Sequence, residues 1–148
     1  MSDDYCLADN FYFGKNNTIQ NYKKAFFYYE LAVKKEHVNA MYMLGICYYN
    51  GDGCDVSIHD AVWYWNMAYE FGEENHACYE LGCAYYLGEG TLKKDPVTAF
   101  KLWKLSADNG NIGSMVEVGN SYYHGDGVEK NIDDALEYWC RARRMRKL

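Results

Sequence analysis

Cysteine and histidine are the residue types in this chain that could carry metal or redox chemistry. The six cysteines stand at positions 6, 47, 54, 78, 83 and 140, and the four histidines at 37, 59, 76 and 124. No two cysteines form a C-x-x-C pair, so neither a zinc knuckle nor a thioredoxin-like motif is indicated. His76 and Cys83 could share a helical face, but no set of three or four converging ligands is evident. We therefore predict no metal site and six free thiols in a reducing compartment.

Serine and glycine patterns give no catalytic motif. None of the five serines is followed three residues later by lysine, so the Ser-x-x-Lys signature of penicillin-recognising enzymes is missing. The Gly-Asp-Gly triplets at 51–53 and 125–127 do not continue into a phosphate or dinucleotide loop. No nucleophile–base pair is visible. We predict no catalytic residue, no cofactor and no enzyme activity.

Composition and charge narrow the classes of partner. The 148 residues amount to 17.2 kDa, with 49% hydrophobic and 24% charged residues, as in a single globular domain. No stretch approaches the ~20 apolar residues of a transmembrane helix, and no signal peptide is visible at the acidic start. The net charge of −6 has the wrong sign for gripping phosphate backbones. We expect a cytoplasmic protein with neither a nucleic acid nor a membrane as its partner.

Residues 141–148 are an exception to this acidity, because five of the eight are lysine or arginine. We interpret them as the cationic last turns of a helix, where positive charge complements the helix dipole. The alternative is a basic docking patch for an acidic partner, a membrane surface or RNA.

A ten-residue pattern recurs every 37 residues. It reads LGICYYNGDG at 44–53, LGCAYYLGEG at 81–90 and VGNSYYHGDG at 118–127, with a degraded copy, LADNFYFG, at 7–14. In a second block, an alanine is followed four residues later by an aromatic residue and seven residues later by a small one. These alanines are Ala25, Ala61, Ala99 and Ala135. Spacings of four and three place each block on one face of a helix.

Capping residues mark the ends of these helices. Residues of N-cap type stand four positions before each alanine, namely Asn21, Ser57, Asp95 and Asn131. Glycines at 14, 51, 88 and 125 suit the left-handed position that closes a helix. The patterns predict first helices at 3–13, 38–50, 76–87 and 112–124. Second helices are predicted at 21–35, 58–71, 96–109 and 132–145.

Each unit is therefore predicted to be an antiparallel pair of helices. Because a unit below ~40 residues rarely buries a core alone, the four units must stack in series. Three glycines, Gly45, Gly82 and Gly119, are expected to let helices approach closely. Three aromatic residues are expected to lie in the core at the helix seam: Tyr48, Tyr85 and Tyr122.

The pattern Leu-Gly-x-x-Tyr-x-x-Gly-x-Gly followed by Ala-x-x-x-aromatic-x-x-Ala resembles the Sel-one-like repeat, a branch of the tetratricopeptide superfamily. The resemblance covers nearly the whole chain. It implies an all-α fold: an α-solenoid of four antiparallel helical hairpins in a right-handed superhelix, forming one domain over 1–148. The units would be about 3–37, 38–74, 75–111 and 112–148.

One secreted, cysteine-rich branch of this family carries a cysteine pair in each repeat and is linked to penicillin binding and β-lactamase activity. Here the matching positions hold alanine or serine: Ala32 and Ala40, Ala68 and Ala77, Ser106 and Ser114. The chain is therefore not expected to belong to that branch.

The resemblance also implies a site, because the first helix of each pair lines the concave face in tetratricopeptide-like solenoids. By position, the groove residues would be Tyr5, Asp9, Tyr12, Tyr42, Ile46, Tyr49, Tyr79, Cys83, Tyr86, Asn120, Tyr123 and His124. Within this set a ladder of four tyrosines, at 12, 49, 86 and 123, recurs in steps of 37. Tyrosine offers a large amphipathic contact area with few torsions to freeze. Aromatic residues at helical spacing can equally be core residues.

We predict a non-enzymatic scaffold that binds a peptide or partner protein in this aromatic, acidic groove. The first alternative is self-association, with the uncapped first unit stacking on another copy to give a homo-oligomer. The second is a hydrolase resembling the β-lactamase-like relatives.

Overall fold

Eight α-helices follow one another in the computed structural model, which describes residues 3–72 and 75–147. They are α1 (Asp4–Phe13), α2 (Tyr22–Lys34), α3 (Val38–Asn50), α4 (Ile58–Gly72), α5 (Asn75–Leu87), α6 (Pro96–Asp108), α7 (Ile112–His124) and α8 (Ile132–Arg146). No strand occurs in these residues. Each helix end lies within one residue of its prediction, so the all-α prediction is confirmed. None of the described helices combines the length and the apolar character that a membrane crossing requires.

The second helices, α2, α4, α6 and α8, begin where the sequence predicts. Each predicted cap accepts a hydrogen bond from the backbone N–H three residues later, over 3.0 Å at Asn21, 3.2 Å at Ser57, 3.1 Å at Asp95 and 3.1 Å at Asn131. Each bond satisfies a backbone donor that the helix itself cannot pair, and such a cap contributes about 1 kcal/mol. The four caps therefore fix where the second helices begin.

The chain divides into two compact parts, residues 1–74 and 75–148. We call them unit 1 and unit 2 from here on. Each contains two of the four predicted helical hairpins. In unit 1, α1 packs on α2, α2 on α3 and α3 on α4; in unit 2, α5 packs on α6, α6 on α7 and α7 on α8. The repeated alanines of the second helices are fully buried at 25, 61, 99 and 135. The predicted small-residue faces are thus the packing faces of the hairpins.

Glycines of the first helices, α1, α3, α5 and α7, make room for indole rings, as predicted. In unit 1 a methyl group at Gly45 would overlap the ring of Trp65. In unit 2 the same overlap would arise between Gly82 and Trp103, and between the next glycine and tryptophan of the repeat, at 119 and 139. The absence of a side chain therefore sets the close distance between the two helices of a hairpin.

The prediction that Tyr48, Tyr85 and Tyr122 lie in the core is wrong, because all three are only half-buried. Tyr48 stacks on Tyr64 at 5.6 Å between ring centroids, and Tyr122 meets Phe100 edge-on at 5.2 Å. The partners on the second helices are themselves large. The rings consequently pack side by side along the core, with one edge left in solvent.

Candidate binding face on the first helices

Charge is sorted between the first helices and the rest of the chain. The first helices contain four carboxylates, at Asp4, Asp9, Glu80 and Glu117, and no lysine or arginine. All fifteen lysines and arginines of the chain lie outside them. Together with the tyrosine ladder, this gives the first helices of each unit a surface of tyrosines and carboxylates with no lysine or arginine of their own, which we call the first-helix face.

Each ladder tyrosine packs against the aromatic residue of its own second helix. The ring centroids are 6.1 Å apart for Tyr12 and Tyr29, 5.6 Å for Tyr49 and Trp65, 5.5 Å for Tyr86 and Trp103, and 5.5 Å for Tyr123 and Trp139. Tyr49 and Tyr123 are 38% and 44% exposed, whereas Tyr12 and Tyr86 are half-buried. The ladder is therefore a rim, with one side of each ring on the core and the other side toward solvent.

Two ladder tyrosines also bond the turn of the following hairpin. Tyr12 Oη donates to Asp52 Oδ2 at 2.6 Å in unit 1, and Tyr86 Oη donates to Asp126 Oδ2 at 2.8 Å in unit 2. Burial, followed by the bond to Asp52, raises the pKa of Tyr12. The bond to Asp126 is the main cause that raises the pKa of Tyr86. We call each of these pairs a Tyr–Asp lock, because it joins two successive hairpins of one unit.

Sequence reasoning missed the locks, although the signal for them was present. The acceptors are the central residues of the Gly-Asp-Gly triplets at 51–53 and 125–127. Each lies forty residues after a ladder tyrosine, one repeat plus three positions. The triplets are therefore both helix endings and hydrogen-bond acceptors for the preceding repeat.

In unit 1, two predicted groove residues are engaged within the fold. Asp9 Oδ1 accepts a hydrogen bond from Tyr29 Oη at 2.7 Å, and burial followed by this bond raises the pKa of Tyr29. Tyr5 stacks on His37 with ring centroids 4.3 Å apart. Two other predicted groove residues, Tyr42 and Ile46, are half-buried, so unit 1 presents mainly aromatic and apolar groups here.

In unit 2, three predicted residues meet in a cleft of about 280 Å³. These are Tyr86, Asn120 and His124. The sequence prediction missed the other lining residues, which are Trp103, Glu117, Ser121 and Asp126. The spacing 117, 120/121 and 124 is one helical stripe of α7 and could have identified them. We call this site the unit 2 cleft.

Three further predicted residues lie outside the lining of that cleft. Burial raises the pKa of Tyr79 to about 12 and that of the Cys83 thiol to about 11, so both groups keep their protons near neutral pH. The Tyr79 carbonyl accepts a 3.2 Å hydrogen bond from Trp103 Nε1, which places this residue in the hairpin packing. Tyr123 stands edge-on to His124 at 5.0 Å and is exposed.

The first-helix face presents groups that can form hydrogen bonds and ring contacts. It offers carboxylates, amide and hydroxyl groups beside aromatic rings. Within residues 3–72 and 75–147, no group of three or more histidine, cysteine or acidic side chains could hold a metal ion. The arrangement suits a ligand with hydrogen-bond donors, positive charge or apolar surface.

Comparison with known proteins supplies the family. A family model for the Sel1 repeat matches residues 5–37, 38–72, 75–111 and 113–146. Chitin synthase regulatory factor 2 of Schizosaccharomyces pombe is 30% identical over 136 residues, which is 90% of this chain and 26% of that protein. The chain thus spans about a quarter of the length of this curated relative.

Solved structures share the fold. The protein c5321, a protective antigen of uropathogenic Escherichia coli with an SLR fold, superposes with a TM-score of 0.87 at 28% identity, over 95% of this chain and 30% of that one. A Sel1 repeat protein from Oxalobacter formigenes gives a TM-score of 0.83 at 23% identity, over 95% and 57% of the two chains. The predicted fold class, an all-α solenoid of helical hairpins, is confirmed.

Helicobacter pylori cysteine rich protein B shares the fold at a TM-score of 0.63 and 22% identity, over 83% of this chain and 90% of that one. In this chain, the positions that match the cysteine pair of the cysteine-rich branch are filled otherwise. In unit 2, Ser114 Oγ donates to Ser106 Oγ at 2.9 Å, and both residues are fully buried. A hydrogen bond between two small buried side chains therefore joins α6 and α7 at these positions.

Proposed function

The chain belongs to the Sel1 repeat family, and on that premise we propose that its first-helix face binds a peptide or other segment of a partner protein. Sel1 repeat proteins generally act in protein–protein interaction. The observation that supports the proposal most is the sorting of charge, since the first helices carry acidic residues and tyrosines but no lysine or arginine. Packing requires the tyrosines to lie at the rim, whereas it does not require that the first helices themselves contain no lysine or arginine.

The exposed ladder residues are the anchors in this proposal. Tyr49 and Tyr123 expose more than a third of their surface while resting on Trp65 and Trp139, so their rings are held before a partner arrives. A ring that is already oriented loses little entropy on binding. Tyr12 and Tyr86 serve the fold through their locks as well, so we assign them a mixed role.

We further propose that the protein is an adaptor in a reducing, cytoplasmic compartment. All six cysteines are free thiols, and nothing in the first-helix face resembles a nucleophile with its base. The name of the S. pombe relative describes a regulatory factor, which accords with action through binding. The activity and partners of that relative belong to a longer protein, of which this chain matches 26%.

A selected peptide tests the proposal. Peptides of twelve residues displayed on phage are selected on the full chain, and the tightest binder is labelled and measured by fluorescence anisotropy. The double variant Tyr49→Ala/Tyr123→Ala should bind at least tenfold more weakly, since each aromatic anchor contributes about 1–2 kcal/mol. Its circular dichroism should match that of the wild type.

Two exposed aromatics of the second helices supply the matched control. Phe27 and Trp63 are 54% and 52% exposed, so the double variant Phe27→Ala/Trp63→Ala removes as much exposed aromatic surface elsewhere. It should bind the peptide within about twofold of the wild type. Loss of binding in the control with retention in the ladder variant would assign binding to the second helices.

Self-association is the alternative function, and it makes a different prediction. Sedimentation equilibrium between 5 and 500 μM would then show a mass that rises with concentration. A constant mass of about 17 kDa, together with a peptide that binds the first-helix face, supports the adaptor.

A further inference from the structure

The unit 2 cleft combines negative charge with aromatic walls. Glu117 and Asp126 line it, and Asn120 adds an amide oxygen. Asp126 Oδ2 accepts the hydroxyl of Tyr86, and a carboxylate has further lone pairs with which to accept a ligand's donors. The cleft therefore gathers several hydrogen-bond acceptors, two of them anionic, in one place.

The walls suit a flat cation. Tyr86 and Trp103 lie 5.5 Å apart between ring centroids and both line the cleft. A cation of the chain itself already lies on one of these rings, because Lys94 Nζ is 5.6 Å from the centroid of the Tyr86 ring. A cation near an aromatic face is attracted by the ring's quadrupole, and the attraction grows as the cation is desolvated.

The volume limits the ligand to a small group. The cleft measures about 280 Å³, at the lower edge of the roughly 300–1,000 Å³ that drug-sized ligands require. It therefore fits one side chain of a partner, with the rest of the partner lying across the first-helix face.

We propose that the unit 2 cleft binds the guanidinium group of an arginine side chain presented by the partner segment. A guanidinium is planar, carries five N–H donors and stacks on aromatic rings, which matches the carboxylates of Glu117 and Asp126 and the half-buried ring of Tyr86. A lysine ammonium has the same charge but lacks the planar shape and the paired N–H donors of a guanidinium, so it binds more weakly. The inference rests on the proposed function only for the statement that the arginine belongs to a protein partner.

The chemistry of the cleft can be tested without the partner. The probe is N-acetyl-arginine amide, titrated to 50 mM into the ¹⁵N-labelled full chain at constant ionic strength and followed by ¹H–¹⁵N NMR spectra. The indole N–H of Trp103 and the backbone amides of α7 near Asn120 should shift with a saturable, millimolar dissociation constant. The neutral isostere N-acetyl-citrulline amide should bind at least threefold more weakly, because it keeps the shape and lacks the charge.

Two variants distinguish loss of the binding site from loss of folding, because one removes a negative charge from the cleft and the other removes a positive charge beside it. Glu117→Gln should weaken arginine binding by about threefold, within the range measured for partly exposed ion pairs. Lys94→Gln removes the competing cation beside Tyr86 and should strengthen binding or leave it unchanged. Both positions are at least partly exposed, so both variants should fold. Weakening by Lys94→Gln equal to that by Glu117→Gln would overturn the assignment.

The probe and the peptide selection can fail separately. If selected peptides bind the first-helix face but show no enrichment of arginine, and the arginine probe shifts nothing, the inference is wrong and the proposed function stands. If the probe saturates the cleft but no peptide binds the chain, the cation site stands and the proposed function fails. Equal binding of arginine and citrulline probes would also overturn the inference.

Discussion

The two Tyr–Asp locks are the same construction in different surroundings. Tyr12 and Asp52 in unit 1 correspond to Tyr86 and Asp126 in unit 2, 74 residues later, and both hydroxyls donate to an aspartate. The neighbouring positions differ. Unit 1 has methionine, isoleucine, cysteine and asparagine at 43, 46, 47 and 50, whereas unit 2 has glutamate, asparagine, serine and histidine at 117, 120, 121 and 124.

This difference separates what the repeat must keep from what it can change. The glycine and the aromatic residue of the second helix recur because they pack the two helices of a hairpin together, and the lock recurs because it joins two successive hairpins. The neighbouring positions on the first helix are mainly apolar in α3, at 43, 46, 47 and 50, and polar in α7, at 117, 120, 121 and 124. Recognition can therefore vary from one repeat to the next while the fold stays the same.

Substitution of the core leucines should have the largest effect on the stability of the two units. Leu44 in unit 1 and Leu81 in unit 2 are fully buried, so replacing either with alanine should lower the free energy of unfolding by about 2–5 kcal/mol. Thermal unfolding followed by circular dichroism measures the loss. Because neighbouring repeats stabilise one another, we expect a single transition in both variants.

A contrary result would be informative about the domain. If Leu44→Ala lowers one transition and leaves a second one in place, units 1 and 2 unfold independently. The prediction of one domain over 1–148 would then be replaced by two.

Removal of the lock hydroxyls should have the next largest effect. Tyr12→Phe and Tyr86→Phe each delete a hydrogen bond to a carboxylate, so each should lower the free energy of unfolding by about 1–2 kcal/mol. Urea denaturation of the two variants measures this. Equal losses support a purely structural lock in both units. If only Tyr86→Phe left the free energy of unfolding unchanged, the lock of unit 2 would not contribute to stability.

The locks also predict a dependence on alkaline pH. The folded-state pKa values of Tyr12 and Tyr86 are raised above the ordinary 10.0, so the folded chain retains protons that the unfolded chain releases. The stabilisation is complete below pH 10 and declines as the pH rises beyond it. Between pH 9 and 11 the wild type should lose stability more steeply than the double variant Tyr12→Phe/Tyr86→Phe. Parallel curves would contradict the contribution of these two groups.

The thiols should give the smallest effect on stability. Reducing agent should leave the melting temperature unchanged, since none of the cysteines is in a disulfide. Alkylation of the native chain, followed by mass spectrometry, should modify the exposed Cys6 and Cys140 first and the buried Cys47 and Cys78 last. A fall of many degrees on reduction would overturn the proposed reducing compartment.

The helices could be predicted closely because their limits are local. Asn21 and Asn131 cap through a side chain that reaches only three residues along the chain, and the buried alanines follow a helical period. The seam tyrosines could not be predicted in the same way. The exposure of Tyr48 depends on the rings of Phe26 and Tyr64, which are distant in sequence.

The candidate site was predictable only in part for the same reason. The repeat placed Tyr86, Asn120 and His124 on one face, but the predicted set left out Glu117, which lies one helical turn before Asn120 and Ser121. The locks depend on a contact across forty residues. Periodicity identifies the face, and the tertiary contacts decide which of its residues are engaged in the fold.

The proposal that a partner segment binds the first-helix face can be tested by mapping where a bound peptide contacts the chain. The tightest selected peptide is titrated into the ¹⁵N-labelled chain, and the perturbed amides and indoles are assigned. We expect perturbations concentrated on the first helices, with the largest at Tyr123 and in the unit 2 cleft around Asn120 and Trp103. Perturbations concentrated around Phe27 and Trp63, with the first helices unchanged, would contradict it.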